Sequence, residues 1–141
     1  MLDQLIPIHP KLVHFPIALF ITAFMLDILS WVFRKENLHK SAVVVYVFAV
    51  LFTPLVIWTG LWEQQRLHLN HPVLSQHKLY AFWTIWVSLA SLPILLFFKK
   101  MLPKYFRLVF LAFLIATAGL VTLTGHQGGR MVYEYGAGVA N

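Results

Sequence analysis

The chain contains no cysteine and very few charged residues. Without cysteine it has no disulfides, thiolate ligands, iron–sulfur clusters or covalently attached c-type haem, so nitrogen, oxygen or thioether atoms must hold any iron or copper. Only 11% of the 141 residues are charged, whereas 60% are hydrophobic. This composition leaves no room for a soluble domain. The net charge of +6 indicates membrane topology and implies no nucleic acid partner.

Four long hydrophobic runs dominate the sequence, at about residues 12–33, 42–62, 79–98 and 108–125. Each is close to the roughly 20 residues that a helix needs to cross a bilayer. Backbone amides in hydrocarbon must be bonded within their own segment, so the runs predict four transmembrane helices. We therefore expect an all-α integral membrane protein, with residues 1–141 forming a single four-helix bundle in the lipid bilayer. The first run lacks the features of a removed signal peptide, so we expect it to stay in the mature protein.

Basic residues are distributed unevenly between the two ends of these predicted helices. The loops at residues 34–40 and 99–107 contain seven lysines and arginines, whereas only four flank the other ends. Because basic loops stay in the cytoplasm, both termini are expected outside it. The corresponding location is the bacterial inner membrane, with periplasmic termini.

Six of the seven histidines fall at the helix ends that this topology places outside. They are His9, His14, His68, His71, His77 and His126. A membrane protein that gathers imidazoles at one face is most simply explained by a metal or haem site there. His68, and His39 at the inner side, are interpreted as solvated loop residues.

An internal repeat divides the chain into two similar halves. Residues 9–14 and 71–77 both read H-P-x-L-x-(x)-H, with one extra residue in the second, and the helices that follow end alike at Gly60 and Gly125. Both halves enter from the same side, so the bundle is predicted to consist of two parallel helix-pair repeats about a two-fold axis normal to the membrane. The glycines between 125 and 138 predict a tight turn after the fourth helix, folded over the outer face.

This alignment of the repeats predicts which histidines act as ligands. It pairs His14 with His77 across the bundle, and these two are the leading candidates to hold haem b through its iron. His126 is a candidate third ligand, alternative axial ligand or partner of a haem propionate. If His9 and His71 bind as well, they define a second haem or metal site nearer the surface.

Other residues near these histidines suit a flat macrocycle. Small residues leave room beside it, and cations at the outer side suit propionates. The candidate cofactor-binding residues besides the histidines are Ala18, Ala81, Gly60, Gly125, Lys78 and Arg130.

The sequence also resembles a known family. Residues 9–19 read HPKLVHFPIAL and residues 125–139 read GHQGGRMVYEYGAGV, with Asp27 and His77 between them. Nearly the whole chain is thereby similar to the prokaryotic membrane domain catalogued as domain of unknown function 2231. Relatives of that family sit beside, or are fused to, c-type cytochrome or Rieske-type domains, so the resemblance implies a redox setting.

These observations together favour an electron-transfer subunit over a complete enzyme. The expected role is to carry electrons between a quinol or membrane partner and a periplasmic acceptor, as part of a larger respiratory or redox complex. One alternative is a non-redox transporter or accessory subunit that binds a transition metal such as copper or zinc. Another is a purely structural subunit whose polar residues hold helices together.

Asp27 is a carboxylate in the inner half of the first helix, where charge is costly in lipid. One interpretation is a proton or cation relay. The other, which we favour slightly, is a hydrogen-bonded carboxyl that faces Thr53, Ser88 or Ser91 inside the bundle.

Overall fold

A computed structural model describes residues 8–67 and 71–136 and confirms an all-helical membrane protein. The helices are α1 (His9–Leu12), α2 (His14–Phe33), α3 (Glu36–Leu67), α4 (Pro72–Met101) and α5 (Pro103–Tyr133). Within the described residues, four helical stretches are long and apolar enough to span a membrane: α1 together with α2, most of α3, α4, and α5. The helices α3, α4 and α5 extend beyond the hydrophobic runs that predicted them.

The residues between α2 and α3, and between α4 and α5, determine the two connections at the end of the bundle opposite the chain termini. Helix α2 ends at Arg34, whose φ of 54° is left-handed, and the N–H groups of Arg34 and Lys35 donate to the carbonyl oxygen of Ser30. Leu102 is not helical because Pro103 follows it, and Pro103 occupies the first turn of α5, where a missing N–H costs nothing. Short connections therefore join α2 to α3 and α4 to α5 as antiparallel hairpins.

The two hairpins pack as a closed four-helix bundle. Helix α2 packs most extensively on α3, and α4 on α5, while α2 against α5 and α3 against α4 join the hairpins. A two-fold axis that exchanges the hairpins exchanges these two joining contacts as well. The contact pattern therefore agrees with the predicted parallel repeats.

The buried positions define the register of the repeat, which differs from the register predicted from the H-P dipeptides. Eleven of the fourteen buried residues of α2 and α3 have a buried counterpart 68 positions later, and 68 is also the separation of His9 from His77. The exceptions are Ser30, His39 and Glu63, whose counterparts are half-buried. The eleven pairs are Pro16/Thr84, Phe20/Ser88, Ala23/Ser91, Asp27/Leu95, Ala42/Phe110, Tyr46/Leu114, Ala49/Thr117, Val50/Ala118, Thr53/Val121, Val56/Thr124 and Thr59/Gln127. This register superposes His9, not His14, on His77. The predicted pairing of His14 with His77 by symmetry is thereby corrected, because the fold aligns the repeats by their buried helix faces.

Polar side chains occupy much of the bundle interior. At mid-height Tyr46 lies between Phe20 and Phe110, with ring centres 5.6 and 5.4 Å away, and its hydroxyl donates to Ser91 Oγ at 2.9 Å. Interior Ser and Thr hydroxyls donate to carbonyl oxygens one turn back in their own helices, as with Thr53 to Ala49 at 2.8 Å. Many other large apolar side chains, such as Phe48, Trp86 and Leu96, point outward, where lipid covers them.

Candidate functional site

A cavity of about 590 Å³ opens at the end of the bundle that contains the first and last described residues, here called the terminal end. Its wall is mainly apolar and is formed by residues of all five helices. Three imidazoles line it, those of His9, His14 and His77. The cavity therefore gathers half of the six clustered histidines into one space.

His9 is held against α3 by three hydrogen bonds. Its Nδ1 lies 3.1 Å from the carbonyl oxygen of Val56 and 3.3 Å from Thr59 Oγ1, and its backbone N–H donates to Glu63 Oε2 at 3.1 Å. The ring lies against Gly60, where an added Cβ would be only 2.8 Å from His9 Cε1. These four α3 residues lie at positions i, i+3, i+4 and i+7, so one helix face binds the whole of His9.

His77 is held against α5 in the same way. Its Nδ1 lies 2.9 Å from the carbonyl oxygen of Thr124, and the separation of 47 positions equals that between His9 and Val56. Gly128 stands one turn after Thr124, with its added Cβ at 3.5 Å from His77 Cε1. A histidine, a carbonyl acceptor and a glycine thus recur in both halves of the chain.

The hydrogen bonds determine which nitrogen of each imidazole is free. A carbonyl oxygen only accepts, so Nδ1 carries the hydrogen in both His9 and His77, and the neutral ring keeps its lone pair on Nε2. The Nδ1 of His14 similarly donates to the carbonyl oxygen of Pro10 at 2.7 Å. Histidines that ligate metals are commonly oriented by such a bond from their other nitrogen. All three cavity histidines therefore have the tautomer that a ligand requires.

The rings of His9, which is half-buried, and His77, which is buried, come from different halves of the chain and lie close together. Their centres are 6.3 Å apart and their planes form an angle of 86°. This contact involves His9 and His77, whereas His14 is an exposed residue at the cavity wall.

A second polar group lies at the opposite end of the bundle. His39 is buried, which corrects its interpretation as a solvated loop residue, and its Nδ1 lies 2.6 Å from Asp27 Oδ1. The structure thus places Asp27 against His39 instead of the predicted hydroxyl partners. Arg107 Nη2 donates to Ser30 Oγ at 2.7 Å beside them. Asp27, Ser30, His39 and Arg107 are here called the opposite-end cluster.

A comparison with family models adds to this geometry. The model described as "Predicted membrane protein (DUF2231)" matches residues 5–141. The chain belongs to this family. No curated protein and no solved structure matches it. The family description gives membrane location, so the chemistry of this DUF2231 protein must be argued from the cavity.

Several predicted site residues of the DUF2231 protein do line the cavity. They include His14 and His77 together with Gly60, Lys78, Ala81 and Gly125. These six residues, which were predicted from their positions along the helices, therefore line one cavity between the helices.

Other predicted site residues lie outside the cavity wall. Ala18 is exposed because it falls between the buried positions Pro16 and Phe20, on the lipid side of α2. His126 is exposed on α5, and Arg130 pairs with Glu134 at 3.0 Å. These three residues therefore lie apart from the cavity wall, and their contact with a cofactor stays a prediction.

His71 has a structural role in the described geometry. It is the N-cap of α4, where its Nδ1 accepts a hydrogen bond from the backbone N–H of Val73 at 3.3 Å. Its ring packs on Tyr135 with the ring centres 4.2 Å apart. His68, the other loop histidine, lies outside the described residues.

The predicted turn after the fourth helix is wrong for most of its glycines. Helix α5 continues to Tyr133, so Gly125, Gly128 and Gly129 are helical, and all three line the cavity wall. Gly136 has a positive φ of 62° and follows the helix. Gly138 lies outside the described residues.

Sequence reasoning gave too little weight to His9 and missed Glu63. Their signal was the face of α3 in which Val56, Thr59, Gly60 and Glu63 follow helical spacing, together with the recurrence of its glycine 68 positions later as Gly128. The buried Glu63 carboxylate anchors the first turn of α1 to α3, because it accepts the N–H of His9. Together these contacts bring the first histidine into the bundle.

Proposed function

We propose that this DUF2231 protein is a b-type cytochrome-like subunit that carries electrons through haem held in the terminal-end cavity. The observation that carries the proposal is the pair of neighbouring imidazoles, one from each half of the chain, with Nε2 left free in both. His9 and His77 would hold the haem iron, with His14 as the alternative partner of His77.

The spacing of the two rings suits a common ligand. Two metal–nitrogen bonds of about 2 Å, extended to the ring centres, span roughly 6 Å. The observed separation of the ring centres is 6.3 Å. The cavity volume of about 590 Å³ falls within the range of roughly 300–1,000 Å³ typical of ligand and cofactor pockets.

The number of protein donors favours haem over a bare metal ion. Within residues 8–67 and 71–136, no group of three or more His, Cys, Asp or Glu side chains is placed to hold a metal. Structural and catalytic zinc sites use three or four protein ligands. Haem iron needs only axial ligands from the protein because the macrocycle supplies the other four, so two imidazoles are enough.

The cavity wall also has the polarity that haem requires. Most of the wall is apolar and suits the macrocycle, while Lys11 and Lys78 line it close to the histidines, where they would pair with propionates. Haem bound here would supply one-electron transfer, and its potential would be set by the imidazoles and the apolar surroundings. The task of the protein is to hold the two rings in one tautomer and exclude water.

The proposed membrane and redox partners of the protein are inferred from the distribution of its basic residues. The basic loops favour a bacterial inner membrane location with the terminal end at the periplasm. The electron donor would be a quinol or another membrane partner, and the acceptor a periplasmic c-type cytochrome or Rieske-type protein. The terminal-end cavity lies on the side where such an acceptor would approach.

Visible absorption spectra of the purified protein test this proposal. We expect a sharp reduced alpha band and little reaction with carbon monoxide, since two imidazoles leave iron no open position. His9→Ala and His77→Ala should each abolish the low-spin spectrum. His126→Ala is the matched control, because His126 is exposed on α5 and lies outside the cavity wall.

His14→Ala distinguishes between the two candidate ligand pairs. If it abolishes the low-spin spectrum while His9→Ala does not, the pair predicted from the H-P repeats is correct and our choice of His9 is wrong. If the protein expressed with ample haem carries none, the cytochrome proposal fails.

A further inference from the structure

We propose that Asp27 and His39 form a proton-binding site that exchanges its proton with the compartment at the opposite end of the bundle. This site lies at the other end from the cavity and does not depend on haem. The proposal therefore goes beyond the electron-transfer role and can stand or fall separately.

The first support is the burial and geometry of the pair. Asp27 has no exposed surface, His39 is 4% exposed, and the distance from Nδ1 to Oδ1 is 2.6 Å. A lone carboxylate in a membrane interior is costly, whereas a carboxyl and an imidazole that share a proton are together neutral. The short contact indicates such a shared proton.

The second support is unused hydrogen-bonding capacity. Asp27 Oδ2 and Arg107 Nε are buried side-chain atoms that have no hydrogen-bond partner among the residues that the structure describes. Buried polar atoms are normally satisfied, so an unpaired carboxylate oxygen is a position for a proton or a water that carries one. A purely structural pair would be expected to satisfy both carboxylate oxygens.

The third support is the charge of the surroundings. Helix α3 contributes Glu36 besides His39, α5 contributes Arg107, and α4 places Leu95 at the position equivalent to Asp27. The summed charge of Asp27, His39, Glu36 and Arg107 is zero when the pair holds its proton and minus one when the proton leaves. Release of the proton therefore adds one negative charge, and the positive charge of Arg107 beside the pair partly stabilises it.

The fourth support is a connection to water at this end. Arg107 joins the buried Ser30 to Glu36, with Nη1 3.6 Å from Glu36 Oε2, and the side chains of Arg107 and Glu36 are 34% and 58% exposed. Ser30 in turn donates to the carbonyl oxygen of Asp27 at 2.7 Å. Two polar side chains, Ser30 and Arg107, thus lead from the backbone of Asp27, next to the buried pair, to the surface.

The experiment follows protonation of the pair directly in lipid nanodiscs. Infrared spectra report the Asp27 carboxyl and nitrogen NMR of labelled histidine reports the His39 ring, each recorded from about pH 5 to about pH 9. Asp27→Asn and His39→Gln assign the signals. We expect at least one of the two signals to titrate in the unmodified protein and to disappear in the corresponding variant.

The Arg107→Gln variant distinguishes a proton-binding pair from a purely structural one. Arg107→Gln removes the positive charge next to the pair, so the pH dependence of the carboxyl and imidazole signals should change. Lys104→Gln is the matched control, because it removes one positive charge from an exposed position in the same turn of α5 and should leave the titration unmoved.

Two outcomes would overturn the proposal. One is that neither the carboxyl nor the imidazole titrates over this range. The other is a titration that Arg107→Gln and Lys104→Gln shift equally, which would indicate general surface charge. If Asp27→Asn does not fold, His39→Gln serves as the test instead, because its amide can still donate a hydrogen bond to Asp27 and so preserve the fold. Loss of haem in the ligand variants would change none of these results.

Discussion

Alanine at Gly60 and at Gly128 should have opposite effects on stability, although the repeat makes the two positions equivalent. At Gly60 the new Cβ would lie 2.8 Å from His9 Cε1 and 3.1 Å from both ring nitrogens. At Gly128 the nearest atom of His77 would be 3.5 Å away, an ordinary van der Waals contact. The first substitution must displace a ring, and the second need not.

The magnitudes follow from three contributions. Replacing a helical glycine with alanine favours the helix by about 1 kcal/mol at either position. At Gly60 this gain is opposed by about 1–3 kcal/mol of overpacking and by about 1 kcal/mol for weakening the bond from His9 to Val56. We therefore expect Gly60→Ala to destabilise the protein and Gly128→Ala to stabilise it, with about 2–4 kcal/mol between them.

Thermal and denaturant unfolding in one detergent measures this difference. Gly129→Ala is the control for helix propensity alone, because nothing lies within 4 Å of its added Cβ. Gly60→Ala should also broaden or remove the haem spectrum, since the ring it displaces is a proposed ligand. If Gly60→Ala is as stable as Gly129→Ala, the close packing of His9 on α3 is refuted.

Two further predictions concern the core and the topology. Tyr46→Phe should lower the free energy of unfolding by about 1 kcal/mol, because it loses the bond to Ser91, whose own hydroxyl still donates to a carbonyl oxygen. Denaturant unfolding measures the loss, and an unchanged stability would contradict the contact. A cysteine at Asn37 should be shielded from an impermeant thiol reagent in intact cells, whereas one at Ser75, exposed at the terminal end, should react. The reverse labelling pattern would place the cavity in the cytoplasm.

The membrane spans were predictable because the hydrophobicity of many residues adds up along each run. Each hydrophobic run contains enough apolar side chains that single residues do not alter the outcome, and hydrogen bonding in lipid leaves a helix as the natural conformation. The helix ends were less predictable. Glycines that would end a helix in water remain helical in α5, where helix packing supplies the order that local propensity lacks.

The site was only partly predictable because it depends on register. The sequence located the histidine-rich end, and it identified His77 and Gly60 as wall residues. It paired the halves by a dipeptide motif, so it ranked His14 above His9. Burial of one helix face against another decides the pairing, and this appears in the sequence only as a weak pattern of small and hydroxyl residues.

The burial of His39 was missed for a related reason. It lies in the first turn and a half of α3, beside Lys40 and close to other charges, and this composition is typical of a loop. The short turn at Arg34 instead directs it back into the bundle against Asp27. A carboxylate in a membrane helix is a reason to look for a partner on the next helix.

The 68-residue register also bears on how such a chain arises and diverges. Fusion of two copies of one hairpin produces this arrangement, and a pair of identical hairpins would place an acid at both Asp27 and its counterpart. Two buried carboxylates in one small bundle would repel each other, and in this chain the second position is Leu95. The counterpart of His39 is likewise Arg107. Joining the hairpins in one chain allows the terminal end to keep its twin histidines while the other end specialises around a single acid.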